Sequence, residues 1–312
     1  MLEPKTLPAS HGWLWVLHGF ALFRAYPAFW LLLLLFYWMA LLMIGTVPVV
    51  GAWIATILIP GLAAGFMVAC DAAQRKSPPL PAHLFLPFRR AARAQLTLGV
   101  IYLVCLALLL AVSALADGGQ LFRVMLIGVK LNDPALQSPE VGNAALIALL
   151  LYTPVMLAFW FAPALSYWQG MDAVKALFFS FFAGFRNTKA FLVYGLGWLL
   201  FGGVVPLVLA TILGLFVPRD VGGAKLIAFL LAPYMMVVVC AMILSFYSSF
   251  VAVFGAPGTP GTPGATPPAA GGTPPKADTG PPEAGSEPPK TNSAEPPKAN
   301  SEPPKTDASP AP

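Results

Sequence analysis

Six long stretches of this chain contain no Asp, Glu, Lys or Arg. They cover about 29–49, 51–70, 96–115, 144–168, 191–216 and 226–254. Each reaches the roughly 20 apolar residues that a helix needs to cross a hydrocarbon core. The missing charge also bears on function. Ionisable groups within a bilayer usually mark proton relays, ion paths or catalytic centres, and these stretches offer none.

Metal ligands and nucleophiles are equally scarce. The only histidines are His11, His18 and His83. His11 and His18 can share a helix face, but no further ligands stand near them to complete a metal site. Cys70, Cys105 and Cys240 lie within or at the edge of apolar stretches, without CxxC spacing or a neighbouring His. They read as small buried apolar side chains. No GxSxG, Walker A loop or GxGxxG is present. Ser166 and Ser245 have no sequence-local base. The expectation is a non-enzymatic protein with no cofactor and no metal.

The chain is instead rich in apolar residues, at 58% hydrophobic and 10% charged, against about 25% charged in soluble proteins. Its formal net charge of +5 is spread over the loops between apolar stretches. That is not the concentrated basic face of a nucleic-acid binder, so no nucleic-acid partner is expected. The N-terminal arm lacks the short apolar core and A-x-A site of a cleavable signal peptide.

Loop charge orients the spans. One side carries Lys5, Arg24, Arg75, Lys76, Arg89, Arg90, Arg93, Lys175, Arg186 and Lys189; the other carries Arg123, Lys130, Arg219 and Lys225. By the positive-inside rule this places both termini in the cytoplasm, and an even number of spans agrees. Asp117, Asp133, Glu140 and Asp220 fall on the outer side.

Three segments on the basic side have the pattern of interfacial amphipathic helices. The first, around 10–24, spaces Trp13, Val16, Leu17, Phe20 and Phe23 helically behind Ser10, an expected N-cap. The second, around 82–93, is interrupted by Pro87. The third, around 171–187, sets Met171, Val174, Leu177, Phe178, Phe181 and Phe185 on one face, as suits a helix tucked under its own bundle. Each ends in Phe-Arg and runs into a span, and each following hairpin returns through a span containing Pro60, Pro154 or Pro233. Ser166 and Ser245 stand twelve residues after the last two of these prolines, where the first unit has Ala72. The pattern fits three copies of one hairpin, a form of repetition common in membrane folds; chance recurrence in a six-span chain is the competing explanation.

Gly61-Leu-Ala-Ala-Gly65 lets two helices approach closely, within the chain before between chains. Pro48, Pro154, Pro163, Pro206 and Pro233 interrupt helices, either as simple kinks or as the wall of a cavity. If a cavity exists, the polar groups to line it are Tyr152, Thr153, Ser166, Tyr234 and Ser245. Asp71, at the end of the second span, reads as a surface ion-pair partner for Arg75 or Lys76. The loop 71–95 holds Arg75, Lys76, Arg89, Arg90 and Arg93 against that single acid. Anionic headgroups attract such residues by about 1 kcal/mol each, although the positive-inside rule produces the same enrichment without any function.

From Gly255 the chain is Pro-rich, with three Glu-Pro-Pro-Lys units beginning at Glu287, Glu295 and Glu302. It cannot bury enough apolar surface to fold, and 255–312 is expected to be a disordered cytoplasmic tail. PxxP spacing at Pro257–Pro260 offers a ligand for a protein partner, while composition alone describes a spacer.

The segments His11-Gly-Trp-Leu-Trp-Val-Leu-His-Gly-Phe20, Ala158-Phe-Trp-Phe-Ala-Pro-Ala-Leu165 and Lys175-Ala-Leu-Phe-Phe-Ser-Phe-Phe182 resemble those of an uncharacterised family of Gram-negative multi-pass inner-membrane proteins, over about 1–254. More loosely, the pattern around 154–187 is similar to the membrane domain attached to some glycerophosphodiester phosphodiesterases, whose acidic catalytic domain has no counterpart here. The resemblance implies a compartment and brings no site residues. The resulting expectation is an all-α six-span bundle over 1–254, with interfacial helices. Its role is expected to be scaffolding, or binding membrane lipid or a partner protein. Transport of an apolar or zwitterionic small molecule is the alternative.

Overall fold

The computed structural model describes residues 3–48, 50–119, 139–218 and 220–257, and no strand occurs among them. Arg123, Lys130, Asp133 and Arg219 lie outside the described residues, as does the Pro-rich tail beyond Pro257. In chain order the described helices are α1 (Ser10–Ala25), α2 (Pro27–Gly45), α3 (Gly51–Gln74), α4 (Ala82–Asp117), α5 (Pro139–Gln169), α6 (Ala173–Arg186), α7 (Thr188–Leu199), α8 (Val205–Leu213) and α9 (Val221–Phe254). A π-helical segment, Leu200–Val204, joins α7 to α8. Six stretches are long and apolar enough to cross a membrane: Pro27–Gly45, Gly51–Gln74, Ala82–Leu115, Val141–Gln169, Thr188–Leu213 and Val221–Phe254. The first ends four residues short of the expected 49, because a turn at Thr46 and Val47 precedes Pro48, and proline disfavours helix in the residue before it.

Three outgoing spans each begin at a bend. The backbone leaves helical geometry at Tyr26 (φ −145°, ψ 58°), Ala91 (φ −136°, ψ 36°) and Asn187 (φ −106°, ψ 17°). Each bend follows a Phe-Arg pair by one or two residues and separates an interfacial helix from a span. The interfacial helices are α1, the part of α4 before Ala91, and α6. Counted from their bends, the outgoing spans share a register. Leu33, Leu98 and Tyr194, each seven residues on, are all buried, and Tyr37, Tyr102 and Trp198 stand eleven residues on.

The three returning helices α3, α5 and α9 show a second regularity. Before their prolines they expose large apolar side chains: Trp53 and Ile54, then Leu149 and Leu150, then Phe229 and Leu230. Beyond Pro60, Pro154 and Pro233 they run into the core, through Phe66 and Met67, Phe161 and Leu165, and Leu244 and Phe250. The core therefore occupies only one end of the bundle, which we call the basal end. It holds the three bends and the ends of the returning helices. The N-terminal arm is tied there too, since Lys5 N–H donates to the Val253 carbonyl at 3.0 Å.

Small residues set how closely the helices meet. α1 packs against α7 and α9, the first part of α4 against α3, and α6 against α5. A Cβ on Gly12 would overlap the Ala190 carbonyl, one on Gly19 the Ala241 carbonyl, and one on Gly65 the Leu84 backbone. Gly61 of the same GxxxG lies against the Phe88 ring. Each interfacial helix thus leans on the returning helix of the preceding hairpin, and α1 closes the circuit on the last.

Two sequence expectations change here. The aromatic face of α6 is not the face that packs most closely. In α6 the buried residues are Ala173, Ala176, Ser180, Ala183 and Gly184, whereas Val174, Phe178 and Phe185 are 69%, 59% and 62% exposed. α1 keeps most of its expected face: Val16 is buried and Phe20 and Phe23 pack against the core beside Gly12, Trp15, Gly19 and Leu22, while Trp13 and Leu17 are exposed. For α6 the reason is solvent. Lipid tails are as apolar as Phe, so burial of small residues wins where it allows close backbone approach. The second change is at Ser10, which lies inside the first turn of α1; Ala9 holds the cap position and no side chain caps it. Asp172, by contrast, caps α6, accepting from Lys175 N–H at 3.0 Å.

Ser180 also repairs α5. The Phe161 N–H donates to Ser180 Oγ at 2.9 Å, and Ser180 Oγ donates to the Leu157 carbonyl at 2.8 Å. The hydroxyl thereby occupies the i→i−4 link between those two residues, an insertion that bends helices. Ser180→Ala is expected to lower stability by about 1–3 kcal/mol, the cost of leaving buried backbone groups unpaired. Equilibrium unfolding in mixed detergent micelles measures it.

Candidate functional site

Helix breaks within the bundle free backbone groups, and at several of them a polar side chain takes the freed group up. The Val205 N–H reaches back to the Leu200 carbonyl, as π-helical spacing requires. The next such bond would come from residue 206, a proline with no N–H. The orphaned Phe201 carbonyl accepts instead from Tyr234 Oη at 2.6 Å. At the third bend Asn187, buried to 1% exposure, donates from Nδ2 to the carbonyls of Lys5 (3.0 Å) and Ala183 (2.9 Å). Its Oδ1 accepts from Leu7 N–H at 2.8 Å. At the first bend Trp30 Nε1 donates to the Leu22 carbonyl at 2.9 Å.

A cavity of about 440 Å³ lies between α3, α4, α5, α7 and α9. Its wall includes Pro60 and Met67 of α3, Tyr102 of α4, Tyr152, Trp160 and Pro163 of α5, Phe191, Tyr194 and Trp198 of α7, and Phe246 of α9. No lining residue is charged. Trp160 is its anchor. The indole meets Phe191 at 5.1 Å, Tyr194 at 5.6 Å and Phe246 at 4.4 Å between ring centroids, and Nε1 donates to Ser249 Oγ at 3.1 Å. The hydroxyls of Tyr102 and Tyr152 stand 3.4 Å apart in the wall. Gly195 also lines the cavity and is exposed, and a Cβ there would meet nothing within 4 Å. The wall is therefore bare at Gly195, within the span Thr188–Leu213.

Of the five hydroxyl residues expected to line such a space, only Tyr152 does so. Thr153 is exposed and back-bonds to the Leu149 carbonyl at 2.9 Å. Tyr234 is committed to Phe201. Ser245 is buried behind the wall, 2.7 Å from Tyr194 Oη, and donates to the Met242 carbonyl at 2.6 Å. Ser166 donates to the Pro163 carbonyl at 3.0 Å and accepts from Gln95 Nε2 at 2.7 Å. In a bilayer a hydroxyl serves first the backbone carbonyl one turn back, so polarity in the sequence is a poor guide to the wall. The aromatic residues at common register are the better signal.

The basic residues separate as well. Arg75 pairs with Asp71 at 3.0 Å and reaches the Pro257 carbonyl at 3.1 Å, while Asp71 also accepts from Tyr247 Oη at 3.2 Å. This pair borders a basal groove of about 810 Å³ that includes His11, His18 and Tyr247. Lys76 ends α3 with φ 62°, and both it and Arg89 are exposed. Arg90 and Arg93 instead share a groove of about 690 Å³ with Thr97, Ser166 and Tyr167. Among the described residues no group of three or more His, Cys, Asp or Glu is placed to hold a metal ion.

Trp160→Ala is expected to cost about 2–4 kcal/mol in detergent unfolding, the packing share of an aromatic deletion, since lipid offers the ring the same apolar surroundings. Tyr152→Phe, which removes one long hydrogen bond, is expected to cost less than about 1 kcal/mol.

The chain is 38% identical over 263 residues to a probable inner membrane protein of Burkholderia thailandensis, covering 82% of this chain and 96% of that one. No protein-family model matches it, and no solved structure matches it.

Proposed function

The chain belongs to the family of this Burkholderia thailandensis inner membrane protein and is a multi-pass protein of the inner membrane, and we propose that its work there is to bind an amphiphile without transforming it. The uncharged cavity open at Gly195 carries this reading. Its volume of about 440 Å³ falls within the roughly 300–1,000 Å³ of small-molecule sites, and its aromatic wall suits an apolar occupant. On this reading the occupant enters beside Gly195, within the span Thr188–Leu213, and is a molecule already dissolved in the bilayer. No carboxylate, His, Lys, Ser or Cys lines the cavity, so binding fits it better than catalysis.

The basal end is assigned to the cytoplasm by the ten-to-four distribution of Lys and Arg. That assignment puts the cavity in the inner-leaflet half, since its α7 wall lies only four to eleven residues, about 6–16 Å, beyond the Asn187 bend. A C-terminal green fluorescent protein fusion is expected to fluoresce and a C-terminal alkaline phosphatase fusion to be inactive; the reverse result rejects the orientation.

Passage of an apolar or zwitterionic molecule is the second reading, favoured by Pro60 and Pro163 in the cavity wall, where broken helices can yield. One set of variants serves both. Gly195→Phe and Ala63→Leu narrow the cavity, and they are expected to lose at least half of the lipid that copurifies with the wild type, measured by extraction and mass spectrometry. Unchanged copurifying lipid in both folded variants would dismiss the cavity as the site. Flux of a labelled lipid across proteoliposomes, absent in empty vesicles, separates passage from holding.

A further inference from the structure

The groove that holds Arg90 and Arg93 begins one turn along α5 from the cavity. Pro163 and Ala164 line the cavity, whereas Ser166, Tyr167 and Gly170 line the groove. Pro163 and Tyr167 are four residues apart, and residues at that spacing are neighbours on a helix surface, so the two spaces follow one stripe of α5. Gln95 stands at the join. It is fully buried, and its Nε2 donates both to the Pro163 carbonyl at 2.8 Å and to Ser166 Oγ at 2.7 Å. Its Oε1 has no hydrogen-bond partner.

The other wall comes from the bend in α4. Arg90 and Arg93 flank the non-helical Ala91, both are exposed, and Thr97 continues the wall one turn into the span. Arg90 and Tyr167 line the same groove. Asp172 also borders the groove, but its carboxylate caps α6 through Lys175 N–H. Two planar cations with nearby hydroxyls, at the level where a span leaves the hydrocarbon, form a donor set for tetrahedral oxyanions.

We infer that this groove binds a phosphate group, and that on the amphiphile-binding reading above the phosphate is the headgroup of the lipid whose apolar part enters the cavity. The lipid class is then an anionic phospholipid. A lipid of the same chains without phosphate lacks the headgroup contact, and a soluble phosphate lacks the apolar one.

Native mass spectrometry of the full chain in detergent tests this with three probes: phosphatidylglycerol, diacylglycerol of the same acyl chains, and inorganic phosphate. Phosphatidylglycerol is expected to bind more tightly to the wild type than diacylglycerol does. The double variant Arg90→Gln/Arg93→Gln should weaken phosphatidylglycerol about thirtyfold, from about 1 kcal/mol per lost arginine, and leave diacylglycerol unchanged. The double variant Lys76→Gln/Arg89→Gln removes the same charge from outside the groove and should bind phosphatidylglycerol as the wild type does. Equal losses in the two double variants, or none in the first, would overturn the assignment. Displacement of phosphatidylglycerol by millimolar inorganic phosphate would identify a soluble ligand for the groove and overturn the headgroup assignment; failure to displace it supports the lipid. Loss of diacylglycerol binding in Gly195→Phe belongs to the cavity reading alone, so the two ideas fail separately.

Discussion

Inside a bilayer no water is available to satisfy a broken backbone, and at four helix interruptions a side chain answers that constraint. Trp30 closes the first bend and Asn187 the third. Ser180 completes α5, and Tyr234 takes the carbonyl left by Pro206. Each is a side chain from one segment bonded to the backbone of another or of an earlier turn. The breaks are therefore tolerated only in the assembled bundle, which couples helix geometry to tertiary packing.

The bends give the fold its form. They let interfacial helices lie across the basal end while the following spans cross the membrane, and they set a common register for three hairpins. Small residues then decide which faces meet. Gly12, Gly19 and Gly65 bring backbones together, and Ala176, Ser180 and Ala183 do the same for α6. Close approach at the basal end and proline at the entry of each returning helix leave the outer halves exposed to lipid. The cavity lies among five helices, and at Gly195 no side chain fills its wall.

Both features named as sites depend on the same arrangement. The aromatic cavity and the arginine groove lie along one stripe of α5, joined at Gln95. On the proposed reading, an apolar space beside two cations complements an amphiphile better than an ion or a polar metabolite. Such a design does not require ionisable residues within the spans.

Much of the fold is legible in residue pattern. Charge-free runs of sufficient length permit little besides membrane helices, and the recurring Phe-Arg pairs and prolines mark the bends and the entries to the core. Binding residues are harder to read. Thr153, Ser166, Tyr234 and Ser245 are polar, but a hydroxyl surrounded by hydrocarbon bonds to the nearest carbonyl, and one sequence does not tell which carbonyls lack partners. The packing face of α6 departs from its pattern for a related reason: amphipathic pattern reports contrast with water, and contact between helices in lipid is governed by size. Alone, the sequence determined the membrane location, the spans and the excess of positive charge on one side. Only the tertiary structure decided which small residues touch, which hydroxyls are already used and where a cavity remains, because each depends on distances between segments far apart in the chain.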